Sequence, residues 1–271
     1  MCRWLAYSGP SLALGALLTR PDHSLIDQSR HARQNVETTN GDGFGVGWYG
    51  VDRLPGLYRN THPAWNDANF RHLADHVRSK LFLSHVRAAT GTAVQETNCH
   101  PFSHGNWLFQ HNGSVPGFHS LKRRLQFDVD PALFPSITGT TDSETLFYLA
   151  LSFGLQDDPP AALARTLGHV EKARAEAGID QPVTFSACVT DGARLWSVRY
   201  SSNQQSRTQY HSRHIRALRD VDGGYDPLPD GAVIVVSEPL DELSEHWESV
   251  PEASLLLVEN GEVEVMPFRP L

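Results

Sequence analysis

The order of strand-like and helix-like patterns constrains this chain most. Strand character marks residues 4–7, 44–49, 81–86 and 107–111, all in the first part of the chain. Two helical stretches follow. Thr141-Asp142-Ser143-Glu144 has the spacing of a capping box ahead of Leu146, Phe147, Leu149 and Ala150. Residues 160–177 read as an amphipathic helix, with Pro160 at its start and Gly178 past its end. Strands return at 183–189, 195–200, 232–236, 255–259 and 263–266, with Asp191-Gly192 and Asn260-Gly261 as hairpin turns between them. Asn112-Gly113 reads as another tight turn. Strands, then helices, then strands predict an α+β fold rather than a βαβ alternation. Residues 201–231 are polar and aperiodic, and read as one long loop that carries specificity.

A chain of 271 residues that is 40 % hydrophobic and 20 % charged can bury a substantial core. No linker or repeat divides it, so one domain over residues 2–271 is expected. The net charge is −8 and no Lys/Arg block stands out, which argues against a nucleic-acid or anionic-membrane surface. Three cysteines (Cys2, Cys99, Cys188) without a CxxC pattern do not make a disulfide framework. The apolar run at 12–18 is too short for a membrane span, lacks a small-x-small cleavage site and leads into Thr19-Arg20-Pro21-Asp22. A cytoplasmic protein is expected.

Cys2 follows the initiator methionine directly. Once Met1 is removed, one residue holds a thiol and a free α-amine, so the nucleophile carries its own base. The amine titrates at about 7.7–8.0 and the thiol at about 8.5, and proton transfer between them is feasible near neutrality. Five further segments carry polar chemistry: Asn40-Gly41-Asp42-Gly43-Phe44-Gly45, the strand end Ser84 to Thr90, Asn98-Cys99-His100-Pro101-Phe102, His111-Asn112-Gly113, and Thr141 to Glu144. Each has a plain structural reading: a turn, a helix cap, an ion-pair partner, glycines where sheets approach. Together they supply what hydrolysis of a glutamine-like amide needs. The Asn112 amide and the Gly113 N–H can form an oxyanion hole. Arg87 offers a bidentate fork to a carboxylate, and Asp142 offers an anion to an ammonium group.

Cys2, Arg87-x-x-Thr90, His111-Asn112-Gly113 and Thr141-Asp142-Ser143-Glu144 occur in the order found in class II glutamine amidotransferases, which this sequence resembles. The resemblance implies a four-layer αββα sandwich of the N-terminal nucleophile hydrolase type. It implies a Cys2 thioester, an oxyanion held by Asn112 and Gly113, a substrate carboxylate held by Arg87 and Thr90, and a substrate amine held by Asp142. It implies no cofactor.

Met1-Cys2-Arg3, Gly41 to Gly45, Asn98-x-His100-Pro101-Phe102 and Ser237-Glu238-Pro239-Leu240 resemble the small standalone branch. That branch includes the γ-glutamyl hydrolase of ergothioneine biosynthesis and an amidotransferase-like subunit of glutathione degradation. One departure is Gly91, where synthase-linked members place a His after the Thr. The expected function is hydrolysis of a small-molecule γ-glutamyl amide with release of glutamate. An ammonia-supplying subunit for a partner synthase is the alternative within the family. A metal-binding protein using His85, His100, His104, His111 and Cys99, or an inactive scaffold, are alternatives of other classes.

Overall fold

The computed structural model describes residues 2–34, 39–52, 54–89, 91–213 and 215–271. Its strands in chain order are β1 (Arg3–Ala13), β2 (Phe44–Tyr49), β3 (Pro55–Asn60), β4 (Arg78–Val86), β5 (Phe102–His104), β6 (Trp107–Ser114), β7 (Thr184–Thr190), β8 (Leu195–Ser201), β9 (Tyr210–Ser212), β10 (Ala217–Arg219), β11 (Tyr225–Pro227), β12 (Val233–Val236), β13 (Trp247–Ser249), β14 (Ser254–Glu259) and β15 (Glu262–Pro267). The helices are α1 (Gly15–Leu18), α2 (Leu25–His31), α3 (Ala68–His76), α4 (Phe118–Phe127), α5 (Asp142–Ser152) and α6 (Pro159–Glu176).

Two antiparallel sheets face each other. The first runs β13-β9-β12-β1-β4-β2-β3 and the second β15-β14-β8-β7-β6-β5. Alternation along the central strands explains the layering. In β1, Trp4 and Ala6 point into the seam between the sheets, while Leu5 and Tyr7 point outward to α1, α2 and α3. In β6, Leu108 faces the seam, and Trp107 and Phe109 pack under α4, α5 and α6. Three apolar layers result, one between the sheets and one beneath each helical layer. The fold is the four-layer αββα sandwich. Strands buried on both faces read as continuous apolar runs, which is why β1 and β12 were legible as strands. Each fully buried Leu or Phe in these layers contributes roughly 1.5–3 kcal/mol relative to exposure.

The helix ends follow local chemistry. Ser24, Asp67, Thr141 and Asp158 cap α2, α3, α5 and α6, each accepting a backbone N–H two or three residues into the helix. At Thr141 only half of the expected capping box forms. Thr141 Oγ1 accepts from Glu144 N, but the Glu144 carboxylate turns to the N–H groups of Thr138 and Gly139 instead. Asn260-Gly261 makes the expected two-residue hairpin, with φ of 52° and 80°.

Two expectations are corrected. Asn112-Gly113 is not a turn: both residues lie inside β6, paired with Ser186 and Phe185 of β7. Gly113 is needed for proximity rather than for φ, since a Cβ there would lie 2.0 Å from the Thr184 carbonyl oxygen. Residues 201–231 are not one loop, because they contribute β9 to the first sheet and form the β10–β11 ladder. The apolar run at 12–18 ends β1 and forms the buried α1. We predict that Gly113→Ala destabilises the protein by about 1–3 kcal/mol through overpacking. Urea unfolding measures this, and an unchanged midpoint would show that the strands can separate at no cost.

Candidate active site

Cys2 sits immediately before β1, on the side of the strand that faces the second sheet. Its thiol lies under the segment leaving β4: Ala88 N–H donates to Cys2 Sγ at 3.4 Å. Burial raises the Cys2 pKa, while the Ala88 N–H and the Arg87 guanidinium oppose that rise without cancelling it. The resting group is therefore a thiol that must be deprotonated to react.

The Cys2 carbonyl is held from both sides. Asn112 Nδ2, from β6 of the second sheet, donates to it at 2.8 Å, and Arg3 Nη1 donates at 3.0 Å. Asn112 thus reaches Cys2 across the seam, from 110 positions away in sequence. Gly113 follows on the same strand and lines the cavity above Cys2.

Arg87 leaves the end of β4 and is buried. Its backbone is fastened by Arg87 N–H to Gly43 O at 2.8 Å and by Asp42 N–H to Arg87 O at 2.9 Å. Asp42 Oδ2 also accepts Ala89 N–H at 2.8 Å. The glycine-rich run therefore holds the strand end in place. The guanidinium donates through Nη1 to Asp42 O and through Nη2 to Thr92 Oγ1 and Ala93 O, which fixes the fork in one orientation. Asn98 ties this segment to the next, donating to Ala93 O and accepting from Thr140 N–H. Thr90 lies outside the described residues.

Asp142 opens α5. Its Oδ2 accepts Val115 N–H and its Oδ1 accepts Ser143 N–H, both at 2.8 Å. Beside it, His111 Nδ1 and Ser143 Oγ are 2.9 Å apart, and His111 Nε2 is 3.4 Å from Thr184 O. A carbonyl only accepts, so the Thr184 contact calls for the proton on Nε2, and the Ser143 hydroxyl is shared between His111 Nδ1 and Asp142 Oδ1, 3.3 Å away. Burial lowers the His111 pKa despite Asp142 and the Thr184 carbonyl, which keeps the ring neutral at pH 7.

Cys2, Arg87, Gly113 and Asp142 line one cavity of about 570 Å³, and Asn112 braces Cys2. Five of the six residues expected from sequence therefore converge, the sixth being Thr90. Cys99 and Cys188 are buried free thiols, and Cys188 belongs to the seam layer. His85 and His100 stack with ring centroids 4.2 Å apart. Burial, then Arg87, pushes His85 down to about 3. Among the described residues no three His, Cys, Asp or Glu side chains converge as a metal ion requires, so the metal-binding alternative has no site to rest on there.

The sequence reading gave no role to Arg3, His23 and Glu238. Arg3 Nε pairs with Glu238 Oε2 at 2.8 Å, and both side chains are 2 % exposed. His23 Nε2 meets Glu238 Oε1 at 2.6 Å, and the Arg33 and Gln34 N–H groups complete the shell. The network anchors the arginine that grips the Cys2 carbonyl. Its signal was present in Met1-Cys2-Arg3 and in Ser237-Glu238-Pro239-Leu240, but only the register of β1 against β12 brings the two together.

Burial alone would raise the Glu238 pKa, but His23, the Arg33 N–H, Arg3 and the Gln34 N–H overcome it and hold the group at about 2. A depressed carboxylate pKa stabilises the fold above the unfolded value, near 4.3, and that contribution disappears as pH falls through about 2. The stability gap between wild type and Glu238→Gln should therefore narrow as pH drops from about 5 to about 2. Denaturant unfolding across that range tests it, and a constant gap would show that Glu238 is not charged in the native state.

Comparison with known proteins places the chain. A family model described as glutamine amidotransferases class-II matches residues 22–270. A probable glutamine amidotransferase of Saccharomyces cerevisiae, DUG3, is 33 % identical over 99 % of this chain and 84 % of that protein. The γ-glutamyl-hercynylcysteine sulfoxide hydrolase of Mycolicibacterium smegmatis is 28 % identical over 99 % of this chain and all of that one. A glutamine aminotransferase class-II domain protein from Silicibacter pomeroyi superposes with a TM-score of 0.75 at 32 % identity, over 99 % of both chains. With its αββα sandwich and a cysteine before the first strand, this chain belongs to the class II glutamine amidotransferases, a family of enzymes.

Proposed function

We propose that this enzyme hydrolyses a γ-glutamyl amide through a thioester on Cys2. The observation that carries the reading is the convergence of Cys2, Gly113, Arg87 and Asp142 on one cavity, with Asn112 hydrogen-bonded to the nucleophile residue from the opposite sheet. The relative acting on γ-glutamyl-hercynylcysteine sulfoxide supports hydrolysis as the outcome.

Removal of Met1 frees the Cys2 α-amine, which accepts the thiol proton. The thiolate attacks the γ-carbonyl carbon. Charge collects on the carbonyl oxygen, where the Asn112 amide and the Gly113 N–H donate to it. The proton held by the α-amine passes to the leaving nitrogen, the C–N bond breaks, and a γ-glutamyl thioester remains. Water, deprotonated by the same amine, attacks the thioester and releases glutamate with return of the thiol. Arg87 and Thr90 hold the substrate α-carboxylate, and Asp142 holds its α-ammonium. Because Arg87 Nη atoms already serve the 92–93 segment, binding of a carboxylate also fastens that wall of the cavity.

The protein should lose Met1 and take one 6-diazo-5-oxo-norleucine adduct on Cys2, read by intact and peptide mass spectrometry. Retained Met1 with no adduct would sink the reading. Cys2→Ala should lower turnover at least about 10³-fold while folding normally. Asn112→Ala should cost about 10²–10³ in kcat, as loss of one oxyanion donor does elsewhere. Arg87→Lys should act mainly on KM, since a point charge cannot replace the fork; an unchanged KM would make Arg87 purely structural.

A further inference from the structure

The cavity is larger than its chemistry so far requires. About 570 Å³ lies in the range of sites for drug-sized ligands, roughly 300–1,000 Å³, and a free glutamine fills only part of it. Cys2, Arg87 and Asp142 account for the thioester and the two charges of a γ-glutamyl group. Of the wall that these roles leave unused, the part that carries a lysine is the first turn and a half of α4, which presents Phe118, His119 and Lys122 to the cavity. His119 and Lys122 are three residues apart and share one helix face. Leu121 and Leu125, which flank Lys122 on the helix surface, are buried under the second sheet, so α4 cannot turn Lys122 away without breaking that packing.

Lys122 is half-buried, and among the described residues no carboxylate or other acceptor takes its ammonium group. Its neighbour Arg124 pairs with Glu176. The chain has only three lysines, Lys80, Lys122 and Lys172, in a protein of net charge −8. A cation kept without a partner inside a substrate cavity of an acidic protein is matched to an anion on the ligand. Arg87 already answers the glutamyl carboxylate, so that anion belongs to the amine portion.

We propose that Lys122, with His119 and Phe118 beside it, forms a subsite that reads a carboxylate on the amine side of the substrate and so sets the preference among γ-glutamyl amides. This rests on the γ-glutamyl reading of the same cavity. Residues 201–231, where specificity was expected, contribute nothing to the cavity wall among the described residues. Specificity for the leaving amine thus lies on a helix of the scaffold.

The test uses a matched pair, γ-glutamyl-alanine and γ-glutamyl-alaninamide, which differ in one negative charge. The full chain without Met1 should favour the acid in kcat/KM by about tenfold or more, the scale of one charge-assisted hydrogen bond. Lys122→Met should bring the ratio toward one, mainly by raising KM for the acid, and Lys122→Arg should restore it. A wild-type enzyme that takes the Cys2 adduct but cleaves both compounds equally overturns the subsite alone. So does a Lys122→Met variant that slows both compounds in the same proportion. An enzyme that takes no adduct and cleaves neither overturns the γ-glutamyl reading, and the subsite with it.

Discussion

The hydrogen bond from Asn112 Nδ2 to the Cys2 carbonyl joins the two sheets at the point where the chemistry happens. Neither residue is placed by its own sequence neighbourhood. Cys2 is positioned because β1 is locked between β4 and β12, and Asn112 because β6 is locked to β7. The bond exists only while the sheets keep their spacing. That spacing is set by the seam layer, where Trp4, Leu83 and Leu108 pack with Cys188 and Leu256. Glycines permit the close approach at its edge. A Cβ on Gly45 would lie 2.3 Å from the His100 carbonyl oxygen, so the β2 strand can lie against the Asn98 to Phe102 segment only without a side chain there. The active site is thus a consequence of inter-sheet packing.

Charge placement follows the same logic. A buried ion pair is costly unless its remaining hydrogen-bonding capacity is satisfied. Glu238 receives His23, two backbone N–H groups and Arg3, so the carboxylate is well provided for, whereas Arg3 Nη2 finds no partner among the described residues. What Arg3 contributes is placement: its Nη1 holds the Cys2 carbonyl and leaves the thiol to be oriented by Ala88. The stacked His85 and His100 rings beneath Arg87 show the converse. Burial and the adjacent guanidinium both disfavour their protonation, so they stay neutral and add no positive charge beside the Arg87 guanidinium.

Patterning made the α+β order and most central strands legible because those strands are apolar on both faces and bounded by turn residues, while the four layers were implied by the family resemblance alone. The sequence also picked out Cys2, Arg87, Asn112, Gly113 and Asp142 as a set, and the structure brings these five together at one cavity. What it hid has physical reasons. Asn112-Gly113 carries the composition of a hairpin turn, but here glycine serves a close approach to Thr184, and local propensity cannot distinguish the two uses. The strands β3 and β5 escaped notice. β3 is half-buried throughout at a sheet edge, and β5 is three residues long. Residues 201–231 lack periodicity because β9, β10 and β11 have three residues each, too few to show an alternation. The Arg3–Glu238 pair spans 235 positions and depends on strand register alone.

The division of labour within the cavity follows from which elements are rigid. The glutamyl group is common to every substrate under the proposed reading, and the partners proposed for it, Arg87 and Asp142, sit at the strand end of β4 and the first residue of α5, where backbone hydrogen bonds fix them. The amine portion differs from substrate to substrate, and the wall left for it is α4, which joins β6 through a short connection and is anchored by Leu121 and Leu125. Changing one exposed position on that helix face alters what the cavity attracts without disturbing the seam that holds Cys2. A loop could vary as freely, but it would not present a charge at a fixed point; a helix packed on the second sheet does. In a fold whose nucleophile is positioned by sheet packing, specificity for the leaving amine can therefore change on α4 while the hydrolytic centre stays intact.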